Sequence, residues 1–452
     1  TIWFTGAKVK HSVIKNISSW SLPDLLDLPA KAIVYFILVE SLDKETFGML
    51  NLAMMIFSYH GLAHIGIVDW LMYELPKKHV LKENMKNTLS DSYRFSLINQ
   101  LILSVLICLI LVAINDSFFI SVAVLVYLIH SIFYNAYLHK TLFLRYQYKF
   151  KKLLKLRVFF TLIRFFFEII AIIYFGVYGY LTVQVFIFII PIVLLKSDIN
   201  FDLKLTMTPD KYKSLALNGA PFFVVLLLSI ILGNMDRWFI VYTYGLEWFA
   251  TYSVGVFMVT AILVTPLKVL SIFTQYLKEM FISVQDINLN VERSFSINNL
   301  LIFMLLVTLI VGNFFEYLVL HYLPKYSDIV PFINAFMLLI VLKFSVSLVS
   351  NILYLLNKRG SVSRIQIFVT VPYVSLFAVV YYLDMDILFV IWSMNLIFLI
   401  QIFTTIFLIF STKGVRTNVE VFKFSMLVLI GFIFYFSNDF MSIKVLWSHY
   451  IL

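Results

Sequence analysis

The chain has 452 residues, of which 62% are hydrophobic and only 13% are charged. A water-soluble fold of this length does not need so much apolar surface, so the composition excludes a soluble globular protein and predicts a polytopic helical membrane protein. A net charge of +10 would suggest nucleic acid as the partner of a soluble protein, but here the cations lie in connections between apolar runs, which argues against that partner. The single cysteine, Cys108, excludes an intramolecular disulfide and argues against a cysteine metal site.

Apolar runs of about 20 residues, the length that crosses a bilayer, recur along the whole chain. They predict thirteen membrane helices, at about 18–39, 46–68, 93–114, 117–138, 157–177, 180–196, 215–243, 250–272, 297–319, 329–356, 364–383, 387–410 and 421–437. The tail 438–452 is too polar and too short to predict a fourteenth helix, so we expect twelve to fourteen in total.

Lysine and arginine alternate between rich and poor connections along these helices. The 69–92 loop holds four of them and the 139–157 connection holds seven, whereas the turns at 115–116 and 176–180 hold none. Since basic residues mark the cytoplasmic side, this rhythm predicts a cytoplasmic N-terminus and supports the helix count independently of hydropathy. The 139–157 connection interleaves its cations with Leu, Phe and Tyr, which predicts either an amphipathic segment on anionic membrane lipids or a solvated loop.

The first twelve helices fall into two sets of six, and an even number in each half means that both halves point the same way. We therefore expect parallel repeats in an all-α fold. The predicted segments are a cytoplasmic N-terminus at 1–16, an N-lobe at 17–197, a cytoplasmic linker at 198–213, a C-lobe at 214–410, and an extension with the thirteenth helix at 411–452.

A short motif recurs 202 positions apart and supports this two-lobe arrangement. Without any gap, Glu45 and Phe47 of the first half fall on Glu247 and Phe249 of the second, and the residue after each phenylalanine is small. A period near half of the chain length is common in transporters.

Ionisable residues in the first predicted helix form the first candidate site, because a charge at mid-helix costs about 2.5–3.5 kcal/mol in lipid. Asp24, Asp27 and Lys31 are three and four positions apart and therefore share one helix face. Pro23 interrupts the same helix, and Pro221 interrupts the seventh helix at a comparable position. Interrupted helices at matching positions of two halves predict a transport site, although a kink that only satisfies packing has the same signature.

More charged residues lie inside later predicted helices. Arg164 and Glu168 are four positions apart near mid-depth, which fits either cavity lining or a mutually neutralising structural pair. Lys343 has no acidic neighbour within two turns of its own helix, so we expect it to face water, an acid on another helix or an anionic ligand. Asp236 and Arg237, near the outer end of the seventh helix, fit a gate between lobes or an interfacial anchor.

His60 and His64 share a face of the second predicted helix. Such a pair can hold zinc, but no carboxylate accompanies it as in a metalloprotease motif, so we predict polar cavity lining or packing and no metal. The sequence also contains no phosphate-binding G-x-x-x-x-G-K-[ST] motif, no glycine-rich dinucleotide turn and no nucleophile–base constellation. These absences predict no cofactor and no catalytic residues, and they favour a secondary transporter over an enzyme.

Three stretches of the chain resemble one known family. Residues 36–52 followed by 64–69 are similar to the opening helices of bacterial polysaccharide repeat-unit flippases. Residues 221–253, with the run Asp236-Arg237-Trp238-Phe239-Ile240, resemble their seventh and eighth helices, and 322–326 resembles their outer approach to the tenth helix. These flippases belong to the multidrug/oligosaccharidyl-lipid/polysaccharide (MOP) exporter superfamily, and the resemblance covers about 15–410.

The resemblance implies two six-helix lobes in a V shape, as in MATE-type exporters, that alternate between inward-facing and outward-facing states. It implies that undecaprenyl-pyrophosphate-linked oligosaccharides of the O-antigen or capsule type move from the inner to the outer leaflet of the bacterial inner membrane. Polysaccharide polymerase machinery is then a candidate partner, and a monomer is the expected state.

Lys31 is the kind of basic residue that such families use to hold the lipid pyrophosphate. The candidate residues are then Lys31, Arg164, Lys343 and Arg237 for the pyrophosphate, Asp24, Asp27, Glu168 and Asp236 for ion coupling or cavity lining, and His60 and His64 for cavity lining.

Three alternative functions compete with this one. A lipid II flippase of the same superfamily is the closest, and the sequence does not separate it from the first. A multidrug cation exporter is less consistent with a cavity of net positive charge. A membrane glycan polymerase or ligase would need a sizeable outer loop with catalytic polar residues, and the longest predicted outer loop, 320–328, is too small.

Overall fold

The computed structural model describes residues 26–80, 85–114, 117–147, 149–195, 207–283, 294–355, 359–383, 385–410 and 424–437. Helices form almost all of these ranges, which contain no β-strand. Eight of the described helices are long and apolar enough to cross a membrane. The predicted all-α membrane class is therefore confirmed. Asp24 and the segments 1–16, 198–206, 411–423 and 438–452 of the predicted organisation lie outside the described residues.

Each of the thirteen predicted helices has a helical counterpart. In chain order the elements are α1 26–41, α2 Lys44–Ser58, a 3₁₀ segment Tyr59–His64, α3 Ile67–Val80, α4 Met85–Ile114, α5 Phe118–Tyr146, α6 Phe150–Phe186, α7 Ile189–Leu194, α8 Pro209–Ser283, α9 Ser294–Tyr322, a second 3₁₀ segment Pro324–Phe332, α10 Ile333–Leu355, α11 Arg359–Tyr382, α12 Ile387–Phe410 and α13 Phe424–Ser437.

Two glycines with left-handed backbone angles divide the longest helices. Gly176 interrupts α6 with a φ of 61°, and Gly245 interrupts α8 with a φ of 83°. Side chains other than glycine rarely adopt this region, because their Cβ atom comes too close to the following carbonyl oxygen. Both glycines lie at turns that the sequence predicts, so α6 and α8 each contain two of the predicted membrane helices.

The second predicted helix, 46–68, is not continuous in the structure. Its α-helical part ends at Ser58, a 3₁₀ turn follows, and Ile65 and Gly66 take left-handed angles with φ of 43° and 71°. The chain then resumes as α3 and stays helical to Val80, where the sequence predicts a loop. Hydropathy responds to composition alone, so a break made by two backbone angles in an apolar run leaves no trace in it.

The basic connection at 139–157 forms no separate surface helix in its described part. Helix α5 extends into it as far as Tyr146, and α6 begins at Phe150. Leu153 and Leu156 of the first turns of α6 are buried, whereas Lys151 beside them is exposed. The amphipathic pattern therefore belongs to the start of a membrane helix.

Helix α2 begins at the acidic turn that the sequence repeat singles out. Asp43 is its N-cap, and its side chain accepts a hydrogen bond from Thr46 N over 2.9 Å. This bond satisfies one of the free N–H groups at the helix start and holds the pKa of the Asp43 carboxyl below its usual value. Phe47 behind this turn and Phe249, its counterpart by the repeat, are both fully buried, each in its own half of the chain.

The chain divides into two compact units, Thr1–Asn234 and Met235–Leu452. The division falls inside α8, whose first half is part of unit 1. In unit 2, α10 is the most enclosed element: every residue from Ala335 to Leu342 is buried, and α9, α11 and α12 pack against it. The predicted lobes at 17–197 and 214–410 remain a prediction from the sequence repeat.

Candidate functional site

The most buried acid among the described residues of unit 1 is Glu168, which is only 1% exposed. One of its carboxylate oxygens accepts from Arg164 Nε over 2.9 Å and from Gln184 Nε2 over 2.6 Å. Gln184 lies beyond Gly176, so the turn at this glycine brings the second half of α6 back beside the first. The pair that the sequence suggested at i, i+4 is thus formed, and the reversed chain supplies a third member.

A second ion pair lies beside the first. Lys31 Nζ is 2.6 Å from Asp27 Oδ2 on α1, and Thr161 of α6 donates to the other Asp27 oxygen over 3.5 Å. Arg164 interacts electrostatically with Asp27 as well as with Glu168. The four charges therefore alternate in sign from Lys31 to Glu168 and sum to zero. The ammonium of Lys31 is the exposed end of this row, with 45% of its side chain accessible.

Four histidines extend the polar network through unit 1. The ring centroids of His60 and His64 are 6.5 Å apart, and those of His64 and His139 are 6.4 Å apart. His130 bonds the Gln184 carbonyl oxygen through Nδ1 over 2.7 Å, which joins it to the Glu168 network. The predicted pair is thus half of a larger cluster.

His130, His139 and Gln184 are residues that sequence reasoning missed. One signal for this face was available: Ser131, Asn135 and His139 recur every four positions along α5, and all three are buried. Among the described residues no group of three or more His, Cys, Asp or Glu side chains is arranged to hold a metal ion.

Unit 2 has its own buried polar cluster around Asp236, which is 2% exposed. The Tyr252 hydroxyl donates to Asp236 Oδ2, whereas Oδ1 has no hydrogen-bond partner among the described residues. The hydroxyl of Tyr373, also buried, has no partner there either, and it interacts electrostatically with Asp236. Neither tyrosine was predicted as a site residue, although Tyr252 lies in the 221–253 stretch that resembles the flippase family. The predicted turn at Gly245 lies about halfway between Asp236 and Tyr252. A chain that reverses there brings these two residues to the same depth in the membrane, so the turn was the signal that could have predicted their contact.

Lys343 lies in the same cluster. It interacts electrostatically with Asp236 and Arg237, and its Nζ lies 5.5 Å from the centroid of the Phe398 ring. No ion pair of Lys343 within 4.0 Å occurs in the part of the chain that the structure describes. Of the three surroundings that the sequence allowed for this lysine, the structure therefore supplies an acid on another helix, but at longer range than a salt bridge.

The predicted pyrophosphate residues thus fall into two clusters. Lys31 and Arg164 lie in unit 1, and Arg237 and Lys343 lie in unit 2. Each cluster contains at least one acid, so neither is a bare cationic site.

Comparison with known proteins gives a family match for more than half of the chain and a shared fold for most of it. A family model described as "polysaccharide biosynthesis protein" matches residues 37–315. No curated protein sequence matches the chain.

Solved structures share its fold over most of their length. The eukaryotic MATE transporter AtDTX14 superposes with a TM-score of 0.65 at 10% identity, covering 92% of this chain and 99% of that one. A multidrug resistance MATE family transporter of the MOP superfamily matches in its inward-facing conformation with a TM-score of 0.60 at 15% identity, covering 92% and 96%. An outward-facing conformation matches with 0.59 at 14% identity, covering 95% and 96%. At these identities the likeness shows the fold and leaves the substrate open.

Proposed function

Since the chain belongs to the polysaccharide biosynthesis protein family and has the fold of MOP-superfamily exporters, we propose that it flips undecaprenyl-pyrophosphate-linked oligosaccharide repeat units from the inner to the outer leaflet of the bacterial inner membrane. The observation that carries the proposal is the coincidence of the family match over 37–315 with an exporter fold over nearly the whole chain. The proposed orientation has a cytoplasmic N-terminus, and the proposed state is a monomer that delivers its glycan to polysaccharide polymerase machinery.

The cations differ in how readily they can receive a pyrophosphate. Arg164 is bonded to Glu168 through Nε, so an anion at this guanidinium would share it with a buried carboxylate. Lys343 has no such close pair among the described residues, and the Lys31 side chain is 45% exposed despite its pair with Asp27. We therefore assign the principal anion contacts to Lys343 and Lys31, with Arg237 beside Lys343 as a further contact. Arg164 acts as a positioning residue that holds Glu168 and faces Asp27.

The membrane potential favours this reaction without a nucleotide. When a pyrophosphate of charge about −2 moves outward across a membrane whose inside is negative by about 100 mV, its free energy falls by roughly 4–5 kcal/mol. Asp27, Glu168 and Asp236 are the candidate groups for any additional ion coupling. In this proposal the protein supplies a path and a change of access, and it breaks no covalent bond.

The test is flipping in proteoliposomes. The purified chain is reconstituted with undecaprenyl-pyrophosphate-linked oligosaccharide that carries a fluorophore on its sugar, and an impermeant reductant bleaches the outer leaflet. We expect bleaching beyond the outer-leaflet fraction with the wild type, slower bleaching with Lys343→Gln, and wild-type bleaching with Lys151→Gln, an exposed lysine at the start of α6.

Parallel liposomes with fluorescent lipid II and with a cationic dye separate the alternatives. Transport of lipid II but not of the oligosaccharide lipid would move the assignment to lipid II flipping. Transport of the dye alone would move it to drug export, the activity named for the MATE transporters that share this fold.

A further inference from the structure

Four partly exposed rings form a continuous series in unit 1, which we call the aromatic row: Phe57, His60, Tyr134 and Tyr137. The Phe57 and His60 rings lie parallel, with centroids 4.2 Å apart. The centroids of His60 and Tyr134 are 6.1 Å apart, and those of Tyr134 and Tyr137 are 6.5 Å apart. The aromatic row therefore joins the end of α2 to the second half of α5.

Buried rings support the aromatic row from behind. The ring of Phe188 lies 5.3 Å from both Tyr134 and Tyr137. At the other end, Phe57 stacks on Tyr127 with centroids 5.1 Å apart. Phe188 and Tyr127 are both buried. Rings that are held in this way lose little conformational freedom when a ligand packs against them, so the row is a prepared surface.

The neighbours of the aromatic row are not those of a lipid-facing surface. His130 stacks on Tyr134 with centroids 6.3 Å apart, and it interacts electrostatically with Arg164. Arg157 interacts electrostatically with Tyr134. Ionisable side chains within membrane helices face water or the protein interior rather than lipid. A partly exposed row that contains the imidazole of His60 and borders two guanidinium groups therefore suits water or a polar ligand better than lipid.

Polar groups beside the aromatic row have no hydrogen-bond partner among the described residues. His64 is 7% exposed, its ring centroid lies 6.5 Å from that of His60, and its Nδ1 makes no hydrogen bond there. Both side-chain amide atoms of Asn135, the residue after Tyr134, are buried and also without a partner in this part of the chain. Buried polar groups are almost always hydrogen-bonded, because burial removes their bonds to water. These groups therefore mark a place where a ligand or an ordered water supplies the missing bonds.

Rigid aromatic faces beside hydrogen-bonding groups suit a carbohydrate. One face of a pyranose ring presents C–H groups, which pack on the negative face of an aromatic ring, and its hydroxyls need donors and acceptors at the rim. A cationic ligand also packs on aromatic faces, but that contact has no use for the unbonded nitrogen of His64. The observations therefore favour a sugar over a cation.

We propose that the aromatic row binds the sugar rings of the transported lipid, with His64 as the hydrogen-bond partner of a sugar hydroxyl. The proposal deepens the transport function above and rests on it, because it assigns the glycan and the pyrophosphate of one substrate to different residues. Arg164 interacts electrostatically with both Asp27 and His130, so the alternating charges that begin at Lys31 continue into the aromatic row. A pyrophosphate at Lys31 therefore has the aromatic row near its glycan.

Binding of two lipids that differ only in their sugars tests this assignment. Native mass spectrometry of the purified chain in detergent gives a Kd for undecaprenyl-pyrophosphate-linked oligosaccharide and for undecaprenyl pyrophosphate without sugar. We expect Tyr134→Leu to weaken binding of the oligosaccharide lipid by roughly 3- to 10-fold and to leave the sugar-free lipid unchanged, whereas Tyr134→Phe keeps the ring and most of the affinity. Tyr174→Leu is the matched control, since Tyr174 is an exposed tyrosine of α6 outside the aromatic row.

Two further variants cover the case in which Tyr134→Leu fails to fold. Phe57→Leu removes a ring at the other end of the aromatic row and should also weaken only the oligosaccharide lipid. His64→Phe keeps a ring but removes the unbonded nitrogen, so we expect a loss of roughly 2- to 10-fold for the same lipid. Equal losses for both lipids, or no loss in any of the three variants, would overturn the sugar site and leave the proposed function intact.

Lipid II and a cationic dye separate failure of the sugar site from failure of the proposed function. If the wild type binds lipid II but not the oligosaccharide lipid, and Tyr134→Leu weakens that complex, the proposed substrate is wrong and the sugar site stands, because lipid II also carries sugars. Binding of the dye alone, weakened by Tyr134→Leu, would overturn both proposals.

Discussion

Gln184 donates a hydrogen bond to Glu168 over 2.6 Å although the two residues are sixteen positions apart in one long helix. A straight helix of that length would separate them by about 24 Å. Gly176 reverses the chain halfway between them, and Gly245 does the same between Asp236 and Tyr252, which are also bonded at a separation of sixteen positions. In both units a glycine hairpin therefore supplies the hydrogen-bond donor that a deep carboxylate needs.

The Arg164–Glu168 pair should matter more for stability than for substrate contact. We expect Glu168→Ala to lower the free energy of unfolding by about 3 kcal/mol, because it leaves a guanidinium that is 20% exposed without its principal partner. The double variant Arg164→Met/Glu168→Met should recover most of that loss, since it leaves no charge unpaired. Unfolding followed by fluorescence in detergent would check this. Additive losses in the double variant would contradict the pairing argument.

Lys343 should be more important for transport than Lys31. A charge-assisted hydrogen bond to pyrophosphate contributes about 1.5–3 kcal/mol, so we expect Lys343→Gln to reduce flipping by roughly 10- to 100-fold and Lys343→Arg to retain more activity. Lys31→Gln should have a smaller effect, because Asp27 already competes for that ammonium. Initial rates of oligosaccharide-lipid flipping, normalised to reconstituted protein, give the comparison. Equal rates for Lys343→Gln and the wild type would remove Lys343 from the site.

Two buried tyrosines beside Asp236 form a matched pair of variants. Tyr252→Phe removes the hydroxyl that donates to Asp236 Oδ2, so we expect a loss of about 1–3 kcal/mol in the free energy of unfolding. Tyr373→Phe removes a hydroxyl with no partner among the described residues and should change stability by much less. Thermal unfolding of both variants checks the contrast. A larger loss for Tyr373→Phe would show that its hydroxyl has a partner, such as a buried water.

Asp43 should make the stability of the protein depend on pH. We expect Asp43→Ala to cost about 1 kcal/mol at neutral pH, and Asp43→Asn to cost only a few tenths, because asparagine caps a helix equally well. The hydrogen bond from Thr46 lowers the pKa of the folded-state carboxyl below 3.8. The stabilisation by this charge is therefore present above pH 3.8 and is lost as the pH falls through the lowered value. The free energy of unfolding of the wild type, Asp43→Ala and Asp43→Asn, measured between pH 7 and pH 3, tests this. A difference between the wild type and Asp43→Ala that grew as the pH fell would contradict the prediction.

Local patterns predicted the helices well, and predicted contacts only within one helix. The Arg164–Glu168 pair follows from a spacing of four positions, and the Asp27–Lys31 pair follows from the same spacing. The bond from Tyr252 to Asp236 follows from the sequence only if the chain reverses at Gly245. The link from His130 to Gln184 joins two helices by a backbone carbonyl, which no side-chain pattern encodes.

The sequence by itself determined the membrane class, the approximate helix positions, the two glycine turns and the family resemblance. Each of these depends on the composition of a short stretch, because lipid demands a minimum apolar length and glycine alone tolerates positive φ freely. Only the tertiary structure decided that the second predicted helix breaks at Ile65–Gly66 and that α8 crosses the break at Gly219. It also decided that the predicted cations separate into two clusters, each with acids. Those features depend on which helices meet and how closely, and in a bilayer that is settled by packing between surfaces whose apolar composition is nearly the same.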